Sequence, residues 1–206
     1  MSDREPNVIV VSAPSGAGKS TVVSRVVTEV GGLRFSVSHT TRTPRGGEAD
    51  GIHYHFTDRR TFQSMVSGGR MLEWAEVHGQ LYGTALAEYE RARHDALDLL
   101  LDLDIQGAAQ VRLKLPDSVS LFILPPSREA LERRLRGRAQ DDDAEIERRL
   151  EAALEEVSVA GEYDYAVVND DLDACVEATK AIVRATRCRT SRQKAALDRV
   201  IDTFKL

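Results

Sequence analysis

The feature that most narrows the fold is a junction near the N-terminus. The apolar run Val8–Val11 leads into Ala13-Pro14-Ser15-Gly16-Ala17-Gly18-Lys19-Ser20, and then into valines at 22, 23, 26, 27 and 30. The run reads as a strand, and the valines fall at helical spacing. Between them the loop follows G-x-x-x-x-G-K-[ST], with Ala in the first position. A loop of this kind turns successive backbone N–H groups and a helix N-terminus toward an anion; Lys19 adds a point charge, and the Ser20 hydroxyl can ligate Mg²⁺. A strand that ends in such a loop and continues as a helix belongs in a parallel sheet with crossover helices. Valine is a poor helix former, so burial must override propensity along this helix. Alanine in place of the first glycine is tolerable only at negative φ.

The same alternation recurs downstream. Leu97–Leu103, Ser118–Leu124 and Tyr165–Val168 are further strand candidates, apolar on both faces and so expected to be buried. Helices are expected from about Gly18 to Val30, Gln106 to Leu115, Ser127 to Arg136 and Ala144 to Ala160, the last with an apolar stripe of Ile146, Leu150, Leu154 and Val157. A long final helix, interrupted or not, runs from Asp171 towards Phe204. Residues 34–90 break the pattern: Phe35-Ser36-Val37-Ser38 and Tyr54-His55-Phe56 alternate like half-exposed strands, and Met71–Val77 meets Leu81-Tyr82 across His78-Gly79-Gln80. An antiparallel insertion fits this stretch. The acidic segment Ala139–Asp143, between two arginine-bearing helices, reads as a mobile flap.

The 206 residues suffice for one domain with a sizeable core. With 42% hydrophobic and 30% charged residues and no long apolar window, the chain reads as soluble and globular. Its polar start is not a signal peptide, so a cytoplasmic location is expected. Cys175 and Cys188 have no metal-ligand spacing and read as free thiols. A net charge of −5 argues against non-specific nucleic-acid binding. Arginines cluster at 42–45, 133–138, 148–149 and 184–192. The first three clusters adjoin features suited to a phosphate-rich small molecule, and the fourth reads as a solvated helix face.

With Ser36-Val37-Ser38-His39-Thr40-Thr41-Arg42-Thr43-Pro44-Arg45 added to the loop, the sequence resembles the guanylate kinase family over about residues 7–184. In order, Gly51–Phe56, Leu72-Glu73-Trp74, Tyr82-Gly83-Thr84, Leu101-Asp102-Leu103-Asp104-Ile105-Gln106-Gly107, the arginines of the flap and Val168-Asn169-Asp170-Asp171 agree with it. The resemblance implies a P-loop three-layer α/β fold in one domain, residues 1–206. Its core segments would be 7–33, 94–133 and 151–206, with an antiparallel GMP-binding insertion at 34–93 and a mobile lid at 134–150. It also implies ATP:GMP phosphotransferase activity in purine nucleotide metabolism, with Mg²⁺ as cofactor, dGMP as a further acceptor, and neither nucleic acid nor membrane as partner.

The roles the resemblance implies can be checked against chemistry. Ala13, Pro14, Ser15, Gly16, Ala17, Gly18, Lys19, Ser20 and Thr21 would surround ATP, joined by Arg134, Arg138 and Asn169. Asn169 has a second reading as a helix cap before Asp170-Asp171. A phosphate dianion needs donors, which Ser38, Arg42, Arg45 and Tyr54 supply, with Tyr82 as a further candidate. Guanine offers two donors beside an O6 acceptor, so the Glu73 carboxylate can accept from both donors while the Thr84 hydroxyl donates to O6. Adenine reverses that edge and leaves polar groups unpaired. Asp102 and Asp104 alternate on the second core strand and so project from one face near its C-terminal end; by resemblance Asp104 faces guanine, and Asp102, with Ser20, orders the metal shell. Arg149 would reach GMP from the lid, and Lys19, Arg42, Arg138 and Arg149 would stabilise the moving phosphoryl group. Two other readings are a phosphopeptide-binding scaffold module and a P-loop kinase acting on a ribose phosphate. The first is disfavoured by the intact loop and lid arginines, and the second does not need Glu73, Thr84 and Tyr82 together.

Overall fold

A computed structural model describes residues 5–77, 79–137 and 142–205. Arg138 and the segment 139–141 of the expected flap lie outside the described residues. Five parallel strands form the central sheet in the order β2-β7-β1-β8-β9: β1 (Val8–Ser12), β2 (Leu33–Phe35), β7 (Asp98–Asp102), β8 (Val119–Leu124) and β9 (Tyr165–Val168). Ile9, Val11, Leu100, Leu121 and Ile123 point to one face. There they pack on Val22, Val26 and Val30 of the segment around α1 (Lys19–Glu29), and on Cys175, Val176 and Val183 of α7 (Leu172–Arg187). Val8, Val10, Leu99, Leu101 and Phe122 point to the other face, against Ala92 of α3 (Leu86–His94), Ala108 and Val111 of α4 (Ile105–Lys114), and Tyr163. Helices on both faces are why these strands are apolar throughout. Complete burial of Val22 and Val26 is what holds a valine-rich segment in a helix.

A second sheet, in the order β4-β3-β6-β5, is built from β3 (His39–Thr40), β4 (His55–Phe56), β5 (Met71–Val77) and β6 (Gln80–Ala85). It is mixed rather than purely antiparallel: β6 runs antiparallel to both β3 and β5, whereas β3 and β4 are parallel. A helix, α2 (Arg59–Ser67), returns the chain between β4 and β5 and buries Phe62 against Met71, Leu81 and Ala85. Phe35, expected among half-exposed strands, instead closes β2 of the central sheet, and the Ser36 N–H still donates to Leu100.

Three further expectations are corrected. Strand β9 lies at the sheet edge and is largely exposed, with Val168 at 53%, because among the described residues β8 is its only strand neighbour. In α6 (Asp143–Ser158) the buried stripe is Ile146, Leu150 and Ala153, packed on Leu131 and Leu135 of α5 (Arg128–Arg136). Leu154 points outward at 74% exposure, whereas Val157 packs on the cluster of the central sheet as the stripe expected. In the fourth arginine cluster, Arg187 is no solvated residue: its Nε donates to the buried Asp98 at 2.7 Å and its Nη2 to Gly31 O. The C-terminal stretch breaks after α7 and resumes as α8 (Lys194–Asp202). Cys175 is buried and Cys188 exposed, both as thiols. No helix among the described residues is long and apolar enough to cross a membrane.

Candidate active site

The loop after β1 turns on two glycines, Gly16 at φ +92° and Gly18 at φ +96°. Left-handed backbone at these points favours glycine, and close approach forbids anything larger at Gly18, where a Cβ would stand 2.5 Å from Asn169 Nδ2. Ala96 is the only non-glycine at positive φ among the described residues, so Ala13 meets the condition its methyl imposes. The loop is held from outside. Asn169 Nδ2 donates to Ala17 O at 2.7 Å, Arg134 Nη1 to the same oxygen at 3.3 Å, and Arg134 Nη2 to Asn169 O at 2.8 Å. The cap of α7 is Asp171, which accepts from Ala174 N–H; Asn169 is a buried tie between β9 and the loop. Gly16, Gly18, Thr21, Arg134 and Asn169 border a cleft of about 460 Å³.

On the other side of the loop, Lys19 Nζ donates to Leu103 O at 3.0 Å and pairs with Asp102 Oδ1 at 2.5 Å. This joins the C-terminal ends of β1 and β7, where open parallel sheets bind ligands. Asp104 stands beyond β7, so it does not alternate with Asp102 on a strand. It caps α4 by accepting from Gly107 N–H at 2.7 Å, and both aspartates still line one pocket. That pocket, of about 210 Å³, also takes in Lys19, Ser38, Tyr54, Glu73 and Tyr82. The sequence-expected residues of the insertion therefore converge on the end of the central sheet.

Glu73 lies at the bottom, 3% exposed, with no hydrogen-bond partner on Oε1. Burial pushes its carboxyl up to about 7; the Thr84 hydroxyl and amide pull the other way, Asp104 adds to the rise, and Lys114 opposes it. Thr84 is fully buried opposite Glu73 in the β5–β6 ladder, with its Oγ1 3.4 Å from Ser38 Oγ. The Tyr54 and Tyr82 rings meet edge-on at 6.0 Å, and burial raises the Tyr54 phenol above its ordinary range. The Arg42 guanidinium is 5.4 Å from the Tyr54 ring centroid and is held bidentately by Glu48, at 3.0 and 2.8 Å. Glu48 also accepts from Arg45 N–H, while the Arg45 side chain is exposed. Arg42 is the main reason the Glu48 carboxyl falls to about 2.

Two members of the expected set stand apart. Arg149 is paired with Glu145 at 3.3 Å on its own helix, and Arg138 lies outside the described residues. Ser20 and Thr21 are exposed in the first turn of α1. Two acids were missed by sequence reasoning. Glu48 had a usable signal in its place three residues after Arg45. Glu156 had none, being one of several acids on α6. Burial raises its carboxyl, against the Lys19 charge and the Ser15 backbone N–H, which places it at the phosphate loop.

Comparison with known proteins places this geometry in a family. The family model described as guanylate kinase matches residues 5–186. A guanylate kinase of Alcanivorax borkumensis is 52% identical over 186 residues, covering 90% of each chain, and one of Syntrophotalea carbinolica is 49% identical over 195 residues, covering 95% of this chain and 93% of its own. A crystal structure of guanylate kinase from Anaplasma phagocytophilum superposes with a TM-score of 0.76 at 33% identity, covering 93% of this chain and 92% of its own. A match along nearly the whole chain, together with a glycine-turned phosphate loop facing a pocket floored by a buried carboxylate, leaves one conclusion: the chain belongs to the guanylate kinase family.

Proposed function

We propose that the chain transfers the γ-phosphate of ATP to GMP, giving ADP and GDP, with the two nucleotides on either side of Lys19. The observation that carries this reading is Glu73. A carboxylate buried to 3% exposure with an unpartnered oxygen is costly unless a ligand supplies donors. The guanine N1–H and N2–H₂ are two donors on one edge, and Thr84 next to the carboxylate answers O6. Asp104 flanks the base. Ser38, Tyr54 and Tyr82 face the acceptor phosphate, with Arg42 and Arg45 reaching it once Glu48 yields. Gly16, Gly18, Thr21, Arg134 and Asn169 border the ATP side.

In the reaction, an ionised phosphate oxygen of GMP attacks the γ-phosphorus. The bond from that phosphorus to the β–γ bridging oxygen breaks, and ADP leaves with the electron pair. No general base is needed, because the nucleophile is already deprotonated. Lys19 gives up its contact with Asp102 to stand on the moving phosphoryl group, Arg149 is drawn from Glu145 to the same charge, and Arg138 is assigned there by the family motif. Fixed cations aimed at developing charge are the main catalytic device open to such a site. The Ser20 hydroxyl and the Asp102 carboxylate would be the protein oxygens that hold Mg²⁺. Among the described residues no cluster of three His, Cys, Asp or Glu could cage a metal. A sparse, all-oxygen donor set fits an ion that keeps waters and shares phosphate oxygens. When bound, Mg²⁺ would neutralise part of the polyphosphate charge.

We place the activity in cytoplasmic purine nucleotide metabolism, with dGMP as a second acceptor. The deciding assay couples ADP release to GMP, dGMP, AMP and ribose phosphates side by side. Turnover with GMP and dGMP far above the others is expected; equal turnover of AMP and GMP would remove Glu73 from its role.

A further inference from the structure

The carboxylate of Glu73 rides on β5, an edge strand of the second sheet, and an edge strand lacks one of the two neighbours that fix a register. In this molecule α4 takes the place of the missing strand. Gln110 Nε2 donates to Trp74 O at 2.6 Å and its Oε1 accepts from Trp74 N–H at 3.2 Å, the pair of bonds another strand would make. Lys114 Nζ donates to the carbonyls of Met71 and Leu72, at 3.3 and 2.7 Å, where the ladder with β6 slips register just before Glu73. Residues 107, 110 and 114 share one face of α4. On that face Gly107 presents no side chain. A Cβ there would stand 2.6 Å from Glu73 Oε2 and 3.2 Å from its Cδ.

The backbone does not ask for glycine at this point, since Gly107 has no positive φ. Gly107 is the third residue of α4, where glycine supports the helix less than alanine would. What the glycine provides is room for the carboxylate. We infer that Gly107 and Gln110 are positioning residues that set where the Glu73 carboxylate stands, and thereby the selectivity for guanine; this rests on the reading that Glu73 accepts from the guanine edge. The α4 helix starts at the end of central strand β7, so the same contacts tie the guanine pocket to the phosphate-transfer end of the sheet.

The test uses Gly107→Ala, Gln110→Ala, Glu73→Gln, Glu73→Asp and the double variant Gly107→Ala/Glu73→Asp. Each is assayed with GMP and with IMP, which lacks the 2-amino donor, and each is melted without ligand. Gly107→Ala should melt at or above the parent temperature while KM for GMP rises about tenfold, with kcat and KM for ATP within about twofold. Its GMP-to-IMP preference should fall by a similar factor. Gln110→Ala should show the same split, with KM up about threefold or more. In the Glu73→Asp background the added methyl should cost less than about twofold, because the shorter side chain withdraws from it. If Glu73→Gln is impaired but Gly107→Ala and Gln110→Ala keep the parent KM and preference, the positioning role is overturned and the guanine reading stands. An unaffected Glu73→Gln would instead remove the guanine reading and this inference with it. Should Gly107→Ala fail to fold, Gln110→Ala decides alone, and a parent KM there refutes the proposal.

Discussion

Because burial holds the Glu73 carboxyl near pH 7, GMP binding should be proton-linked in a way the Glu73→Gln variant abolishes. The folded protein without ligand keeps a proton on Glu73 that the unfolded chain loses above about pH 4.5, so stability is unaffected by this group at lower pH and declines as pH rises from about 4.5 to 7. The full difference corresponds to roughly 3 kcal/mol. Guanine reverses the preference, since its donors bond only to the ionised carboxylate, and binding must expel the proton. The apparent dissociation constant of GMP should then rise about tenfold between pH 8 and pH 6 beyond the rise due to the nucleotide's own phosphate, whose second ionisation lies near pH 6. Calorimetric titration of GMP, without ATP, in two buffers of different ionisation enthalpy reads the protons directly. At pH 7 the parent should release about half a proton more per GMP than Glu73→Gln, which keeps the phosphate ionisation and lacks the carboxyl. The variant without ligand should also be the more stable form above pH 7, by at most roughly 3 kcal/mol, while binding GMP more weakly. Equal proton release by the two proteins, or a variant less stable than the parent at pH 8, would refute the assignment.

Lys19→Ala should lower kcat by orders of magnitude with an unchanged circular dichroism spectrum, because the loop has no second cation to put on the transferring phosphate; a twofold effect would make the loop ornamental. Arg149→Ala should cost roughly 10³-fold in single-turnover rate, with Arg138→Ala similar and the pair less than multiplicative, while GMP titrations without ATP stay near the parent. Near-normal rates would reduce Arg149 to a partner of Glu145. Asn169→Ala leaves Ala17 O with the longer Arg134 contact alone and should lower stability by about 1 kcal/mol while raising KM for ATP, measured by urea unfolding and steady-state kinetics. Arg187→Ala takes the guanidinium from the buried Asp98, which keeps the Asn7 backbone and side-chain N–H donors, and should cost about 1–3 kcal/mol with kcat and both KM values intact; a kinetic effect would show that the far end of the sheet reaches the site.

The parallel core was legible because burial on both faces leaves a plain trace, unbroken apolar runs separated by helical spacing. β9 misled for the same reason: Tyr165–Val168 has the apolar run of a buried strand but takes the edge, and no local signal distinguishes those positions. Leu154 misled because spacing alone cannot say how wide the buried face of a helix is. The second sheet was harder. His39–Thr40 and His55–Phe56 are two-residue strands, too short to show a period, and their parallel pairing depends on a connection whose path leaves no pattern. At the site, residues singled out by type and order, such as Lys19 and Glu73, line one pocket, with Thr84 opposite Glu73 in the ladder. Of the acids near the cations, Asp102 was named in advance; Glu48 was not, although it stands three residues after Arg45, and Glu156 becomes significant only when folding brings it to the loop.

Those pairings bear on how a strongly cationic site remains folded without ligand. Each described cation assigned to phosphate, apart from the exposed Arg45, is already engaged by a protein oxygen: Lys19 by Asp102 and Leu103 O, Arg42 by Glu48, Arg149 by Glu145, Arg134 by the carbonyls of Ala17 and Asn169. On the proposed assignment, substrate phosphates would enter by exchange. A carboxylate leaves a guanidinium or ammonium as a more highly charged oxygen cluster arrives, and the net gain is the difference between two strong interactions. The carboxylates keep the cations in place and limit their mutual repulsion before substrate binds. The freed cations favour the transition state only where they meet charge that shifts onto the moving group and the leaving oxygen, because total charge is the same as in bound ATP and GMP together. Arg134 is the exception. Its partners are neutral carbonyls that a phosphate need not displace, so on the proposed mechanism it would secure the loop throughout while Lys19, Arg42 and Arg149 exchange partners.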